Sequence, residues 1–138
     1  SDGGAHCGVI TDASFPTYLL SHWVRDRSRG ARFALEKAVA AQTSGTAALY
    51  GLHDRGVIAP GMKADINVID FDALKLHEPK MVHDLPAGGR RLIQEISGYR
   101  YTIVSGVVTY EDGAPTGKMP GKLIRGIQNA DAEKLAAE

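Results

Sequence analysis

The sequence has very little cysteine and no excess of charge. Cys7 is the single cysteine among 138 residues, so an internal disulfide is excluded. A chain without disulfides is typical of a reducing compartment, and we therefore expect a cytoplasmic protein. The 16 basic residues are balanced by 16 acidic ones, which gives no indication of a nucleic-acid partner. A net charge of zero also removes charge repulsion as a barrier to self-association.

Long apolar runs and common metal-binding motifs are lacking as well. No stretch approaches the roughly 20 apolar residues of a membrane-spanning helix, so no membrane partner is expected. The five histidines contain neither His-x-His nor His-x3-His, and a single cysteine excludes Cys-x2-Cys. Asp2, His6 and Cys7 lie close enough in sequence to form a surface metal site, although clusters without a motif are usually incidental.

The first part of the chain has the pattern of helices. Pro16 suits a first helical turn, and this helix should end near Arg27–Gly30. The apolar residues of its expected buried face are Phe15, Tyr18, Leu19 and Trp23, and Leu20 and Val24 widen that face. A second helix is predicted over residues 35–43, with Leu35, Ala38 and Val39 inward, and a third over residues 46–51.

The later part has the pattern of strands joined by turns. Pro60-Gly61 predicts a type II turn, and alternating residues after it predict a strand over 64–70. Strands near 99–105 and 107–112 should form a hairpin around Ser105-Gly106, and the 64–70 and 99–112 regions should be joined as one sheet. The composition of residues 71–98 favours a long connection, with a loop at 87–91 and a short strand at 92–96. The expected fold class is therefore α+β.

Three stretches together resemble the amidohydrolase superfamily. Residues 51–70 resemble the segment where these enzymes leave the catalytic barrel and re-enter their small β domain. Ser1–His6 resembles the end of barrel strand 8 with its active-site aspartate, and residues 104–113 resemble the closing hairpin. Residues 116–126 are similar to the D-aminoacylase (N-acyl-D-amino-acid deacylase) branch.

The resemblance implies a C-terminal fragment of a larger enzyme, since a complete (β/α)8 barrel needs about 250 residues. Residues 1–55 would supply the last strand stub and helices of the barrel, and residues 56–126 the C-terminal part of the small β-sandwich domain. Residues 127–138 would form a frayed or helical tail. Apolar surface and strand edges that the parent enzyme covers would be left open, and we therefore expect a homo-oligomer.

The resemblance also implies a function for the parent enzyme. It would be a zinc-dependent C–N bond hydrolase, and not a peptidase, whose small-molecule substrate is an N-acyl-D-amino acid. Asp2 would be the catalytic residue and a metal ligand, and His6 would contact substrate. The other metal ligands of the superfamily come from earlier strands, so this chain should bind no zinc and be inactive alone. The alternatives are a non-catalytic interaction or assembly module, and a parent enzyme that hydrolyses cyclic amides.

Overall fold

The structure, a computed structural model, describes residues 6–130 and has the α+β composition predicted from the sequence. Three α-helices come first in the chain and eight short strands follow. The helices are α1 (Phe15–Tyr18), α2 (Leu35–Gln42) and α3 (Ser44–Leu49). The strands are β1 (Ile66–Ile69), β2 (Lys75–Leu76), β3 (Lys80–Leu85), β4 (Gly89–Ile93), β5 (Ile96–Ser97), β6 (Tyr99–Val104), β7 (Val107–Glu111) and β8 (Ala114–Pro115).

The chain divides into two units, each assembled from separate stretches. The first unit contains the described residues up to Phe33 together with Asp70–Gly98. The second contains Ala34–Ile69 together with the chain from Tyr99 onward. The predicted domain division at residue 55 concerns the parent enzyme and stays a prediction.

The helix predicted from Pro16 is confirmed, but most of it is not an α-helix. A 3-10 turn at Asp12–Ser14 leads into α1, and a π-helix, Leu19–Asp26, continues it. The predicted buried face is only partly right: Leu20 is buried at 6% exposure, as expected, whereas Phe15 and Tyr18 are 55% and 42% exposed. Phe15 and Tyr18 lie in α1, and from Leu19 onward the i→i+5 bonding of the π-helix no longer collects side chains at i, i+3 and i+4 on one face.

Residues 71–98 form two antiparallel strand pairs, so the expected long connection is wrong. Strand β3 pairs with β4, and β2 pairs with β5. The two prolines that argued against regular structure lie just outside β3, at positions 79 and 86. The loop expected at 87–91 overlaps strand β4 from Gly89 onward. Most of β3 is exposed, so its sequence did not need the apolar alternation by which a strand is predicted.

The first unit is fixed around Leu74, which is completely buried. Arg25, in the π-helix, donates hydrogen bonds to the backbone carbonyls of Phe71, Asp72 and Leu74. The backbone of Gly98 also lies close to the backbone of Ala73 and Leu74. Gly98 has a φ of +101°, and its carbonyl accepts the N–H of Asp70 at 2.7 Å. This short turn is therefore held from both sides by groups distant in sequence.

The second unit contains α2, α3 and a four-stranded sheet. The sheet order is β1-β6-β7-β8, with all neighbours antiparallel, so the predicted pairing of the 64–70 and 99–112 regions is confirmed. In α2 only Ala38 is buried, at 3% exposure, whereas Leu35 and Val39, both expected inward, are exposed. Helix α3 begins at Ser44, two residues earlier than predicted.

Both predicted turns of this unit are confirmed. The N–H of Met62 bonds to the carbonyl of Ala59 across Pro60-Gly61, and Gly61 has a φ of +74°, as a type II turn requires. Ser105 and Gly106 both have positive φ between β6 and β7, which is the two-residue hairpin geometry matched to the twist of the strands.

The tail is attached at its beginning. Gln128 forms a parallel bridge with Leu52, and its N–H bonds to the carbonyl of Gly51 at 2.9 Å. Residues 127–130 are therefore not helical, and the rest of the predicted tail lies outside the described residues. Between residues 6 and 130 no helix is both long and apolar enough to cross a membrane.

Candidate functional site

The described part of the chain begins in the turn that follows the predicted catalytic residue. Asp2, predicted as catalytic group and metal ligand, lies outside the described residues. His6 begins a turn in which its carbonyl accepts the N–H groups of Val9 at 2.8 Å and of Ile10 at 2.9 Å. Its side chain is exposed and therefore accessible to a small molecule, and its predicted contact with substrate stays a prediction.

Strand β4 lies beside this turn. The carbonyl of Cys7 accepts the N–H of Leu92 at 2.7 Å. A Cβ placed on Gly8 would lie 3.8 Å from the carbonyl oxygen of Arg90 and 3.9 Å from its Cγ and Nε, which is ordinary van der Waals contact. An alanine at position 8 would therefore fit beside Arg90 without a clash.

The two arginines of β4 have different surroundings. Arg91 donates two hydrogen bonds to Asp84 of β3, from Nε at 2.8 Å and from Nη2 at 2.7 Å. This bidentate pair lowers the pKa of Asp84 and raises that of Arg91, in both cases chiefly through the hydrogen bonds. Within residues 6–130 the guanidinium group of Arg90 makes no ion pair, so its charge is available to a ligand.

In the second unit, an ion cluster fixes the joint between helices and sheet. Arg55 donates to both carboxylate oxygens of Asp54, at 2.8 and 2.9 Å, and to Asp65 at 3.1 Å. The other oxygen of Asp65 accepts the N–H of Ser105 in the β6–β7 turn. Arg55 thus ties the end of the helical stretch to the hairpin, a contact that sequence reading did not identify because it depends on residues far apart in the chain.

Comparison with known protein families gives one match. A profile of the amidohydrolase family matches residues 1–110. The chain belongs to the amidohydrolase family. The matched range covers the His6 turn, the joint and the sheet as far as Tyr110 in β7. No curated protein and no solved structure matches the chain.

A metal centre is not formed by the described part of this amidohydrolase chain. Within residues 6–130 no group of three or more histidine, cysteine, aspartate or glutamate side chains could hold a metal ion. The proposed surface site of Asp2, His6 and Cys7 includes a residue outside that range and stays a hypothesis. Because the described residues do not fit a zinc centre, no reaction step is assigned to zinc here.

The basic cluster near the end of the π-helix serves the fold. Arg25 binds backbone carbonyls and the carboxylate of Asp26, and Arg27 lies over the ring of Trp23 at 4.5 Å. Arg27 also donates to the carbonyl of Arg29, and Arg32 to that of Arg27. The cluster consists of Arg25, Arg27, Arg29 and Arg32. Three of them therefore donate hydrogen bonds to their own chain, and Arg25 is also paired with a carboxylate.

Proposed function

We propose that this chain is the C-terminal part of a metal-dependent amidohydrolase that cleaves the amide bond of N-acyl-D-amino acids. The observation that carries the proposal is the family match over residues 1–110, which begins in the segment that contains Asp2 and His6. The D-aminoacylase branch and the D configuration of the substrate rest on the similarity of residues 116–126 to that branch.

Asp2 supplies the proton chemistry in this proposal. In amide hydrolysis, water adds to the carbonyl carbon, and the nitrogen must gain a proton before the C–N bond breaks. A carboxylate within hydrogen-bond reach of the attacking water accepts its proton and passes it to the leaving nitrogen. His6, four residues further along the chain and exposed, contacts the bound substrate.

The isolated chain is proposed to be inactive. A catalytic zinc site takes about three protein ligands and leaves one position open. The described residues do not form such a site. The resemblance places the ligands other than Asp2 on barrel strands that precede it in the parent enzyme.

The test compares this chain with the natural gene product at its full length. Both are incubated with N-acetyl-D-methionine, its L enantiomer and a cyclic amide, with and without added zinc. We expect turnover of the D substrate by the full-length protein, loss of at least about 100-fold in its Asp2→Asn variant, and none by the isolated chain.

Other outcomes separate the alternatives. Turnover of the cyclic amide alone would replace the proposed substrate class. A full-length product with no barrel sequence before Asp2 and no hydrolase activity would favour a non-catalytic module. Turnover by the isolated chain would refute its proposed inactivity.

A further inference from the structure

The strap, residues 117–127, is an irregular segment of the second unit that follows strand β8. It is held at both ends. Before it, the N–H of Thr116 bonds to the carbonyl of Thr109 in β7 at 2.9 Å. After it, the N–H of Gln128 bonds to the carbonyl of Gly51, also at 2.9 Å. The strap therefore spans two fixed points although it belongs to no helix or strand.

The middle of the strap makes no hydrogen bond within the described part of the chain. From Met119 to Ile124, neither the backbone nor a side chain donates or accepts one. Met119 is 93% exposed and Leu123 is 78% exposed. At Gly121, an added Cβ would have no atom within 4 Å. The peptide groups of this stretch are therefore open to a binding partner.

The strap also carries three basic residues, Lys118, Lys122 and Arg125, and no acidic one. An endopeptidase that cleaves after lysine or arginine needs such a residue for its specificity pocket. It binds the flanking residues as an extended strand through their backbone hydrogen-bonding groups. The Lys122–Leu123 bond lies inside the unbonded stretch and meets both needs. The carbonyl of Arg125, in contrast, accepts the side-chain amide of Gln128 at 3.1 Å.

A loop in the first unit, residues 27–33, provides an internal comparison. It too is irregular, mostly exposed and contains three basic residues, Arg27, Arg29 and Arg32. Its backbone is folded back, because the N–H of Phe33 bonds to the carbonyl of Trp23 at 3.0 Å and the side chain of Arg32 bonds to the carbonyl of Arg27 at 2.9 Å. A protease would have to break these bonds before it could bind the loop as a strand.

We propose that the strap is a proteolytic processing site, cut at the Lys122–Leu123 bond by endopeptidases that cleave after basic residues. Water is the other reactant: the C–N bond breaks, Lys122 gains a carboxylate and Leu123 gains an amino group. This inference does not depend on the proposed deacylase function.

Cleavage releases the peptide that begins at Leu123. In the intact chain, the covalent connection keeps Gln128 at a high effective concentration beside its partners. After the cut, the bond from Gln128 to Gly51 and the bond from His53 to the carbonyl of Gln128, at 2.8 Å, are the backbone bonds that hold the described part of this peptide. Ile127 is 70% exposed and adds little apolar contact. Two hydrogen bonds do not give binding at micromolar concentration, so the peptide dissociates.

The test treats the 138-residue chain and the full-length gene product with a low concentration of trypsin, and intact mass against time identifies the cuts. We expect the first cut after Lys122, at least about tenfold faster than any cut in residues 27–33. Lys122→Gln should slow cleavage of the strap about tenfold. Arg29→Gln, the matched control in the exposed loop, should leave the rate of the first cut unchanged.

Urea separates cleavage of the native strap from cleavage of unfolded chains. Below the unfolding transition, the rate of the strap cut relative to that of a short reference peptide should not change with urea, because no opening is required. A relative rate that rises with urea would show that cleavage passes through unfolded chains and would overturn the proposal. Circular dichroism checks that each variant is folded, and the results for the wild-type chain stand without the variants.

Four further outcomes would count against the proposal. A first cut within residues 27–33 would refute the assignment of the site, as would a Lys122→Gln strap that is cleaved at the wild-type rate. A full-length product whose strap resists trypsin while that of the 138-residue chain is cut would show that another part of the enzyme covers the strap. Ultrafiltration after the cut should pass the peptide that begins at Leu123, and its retention with the protein would refute release.

Discussion

The close approach of Gly98 to the buried turn at Leu74 makes Gly98→Ala a sharp test of the first unit. A Cβ on Gly98 would lie 2.6 Å from the Cα of Leu74, 2.8 Å from its nitrogen and 3.0 Å from the carbonyl carbon of Ala73. All three are backbone atoms, which cannot rotate away as a flexible side chain can. Leu74 itself is fully buried, so a shift of this turn also disturbs packing.

Two costs add at this position. An L side chain at a φ of +101° costs roughly 1–2 kcal/mol in backbone strain. Displacing a packed backbone to relieve the overlap adds about 1–3 kcal/mol. We therefore expect Gly98→Ala to lower the free energy of unfolding by about 3 kcal/mol.

Gly88→Ala is the matched control for the strain alone. Gly88 belongs to the same unit, has a φ of +72°, and has no atom within 4 Å of the position of an added Cβ. Its replacement should cost only about 1 kcal/mol. Urea unfolding followed by the fluorescence of Trp23, the single tryptophan and a member of this unit, measures both losses. Equal losses for the two variants would refute the steric reasoning; absence of a folded baseline for Gly98→Ala alone would support it.

Three further predictions concern the second unit and the chain as a whole. Arg55→Met should lower the free energy of unfolding by about 2 kcal/mol, because Arg55 is only 15% exposed and binds two carboxylates. Arg100→Met, in a pair where the arginine is 55% exposed, should cost less than about 1 kcal/mol, and urea unfolding followed by circular dichroism measures both losses. The hydrogen bond from Arg55 lowers the pKa of Asp54, so its stabilisation is complete above the unfolded pKa of about 4 and is lost as the pH falls through the folded value. Arg55→Met should therefore flatten the pH dependence of stability between about pH 5 and pH 3, and an unchanged slope would contradict this assignment. Exposed apolar side chains such as Phe15 and Ile58 should cause the isolated chain to associate, and sedimentation velocity that shows only a monomer across a concentration series would refute that expectation.

Features encoded by neighbouring residues could be predicted from the sequence. The turns at Pro60-Gly61 and Ser105-Gly106 depend on the φ preferences of two adjacent residues, and both occur as predicted. Alternation predicted the strand at 64–70, whereas its place in one sheet with 99–112 was expected from resemblance to the small β domain.

Features set by distant contacts could not be predicted in this way. Strand β3 is mostly exposed and carries no alternation, so its pairing with β4 gives no periodic signal. The π-helix alters the spacing on which the predicted buried face depended. The hydrogen bond from Leu92 to the carbonyl of Cys7 likewise joins residues remote in the sequence. Asp2 and His6 came from resemblance to a family and not from any local physical pattern.

The alternation of the two units along the chain constrains how the protein can be cut and how it is made. A truncation at residue 69 would remove every strand of the first unit, β2 to β5, and would remove β6, β7 and β8 from the second unit. During synthesis, the first unit cannot be completed until Gly98 has emerged from the ribosome. Helices α2 and α3 of the second unit are made well before strands β6, β7 and β8, which complete its sheet. Contacts between stretches far apart in the chain form slowly. We therefore expect the nascent chain to bind chaperones during the period in which neither unit is complete.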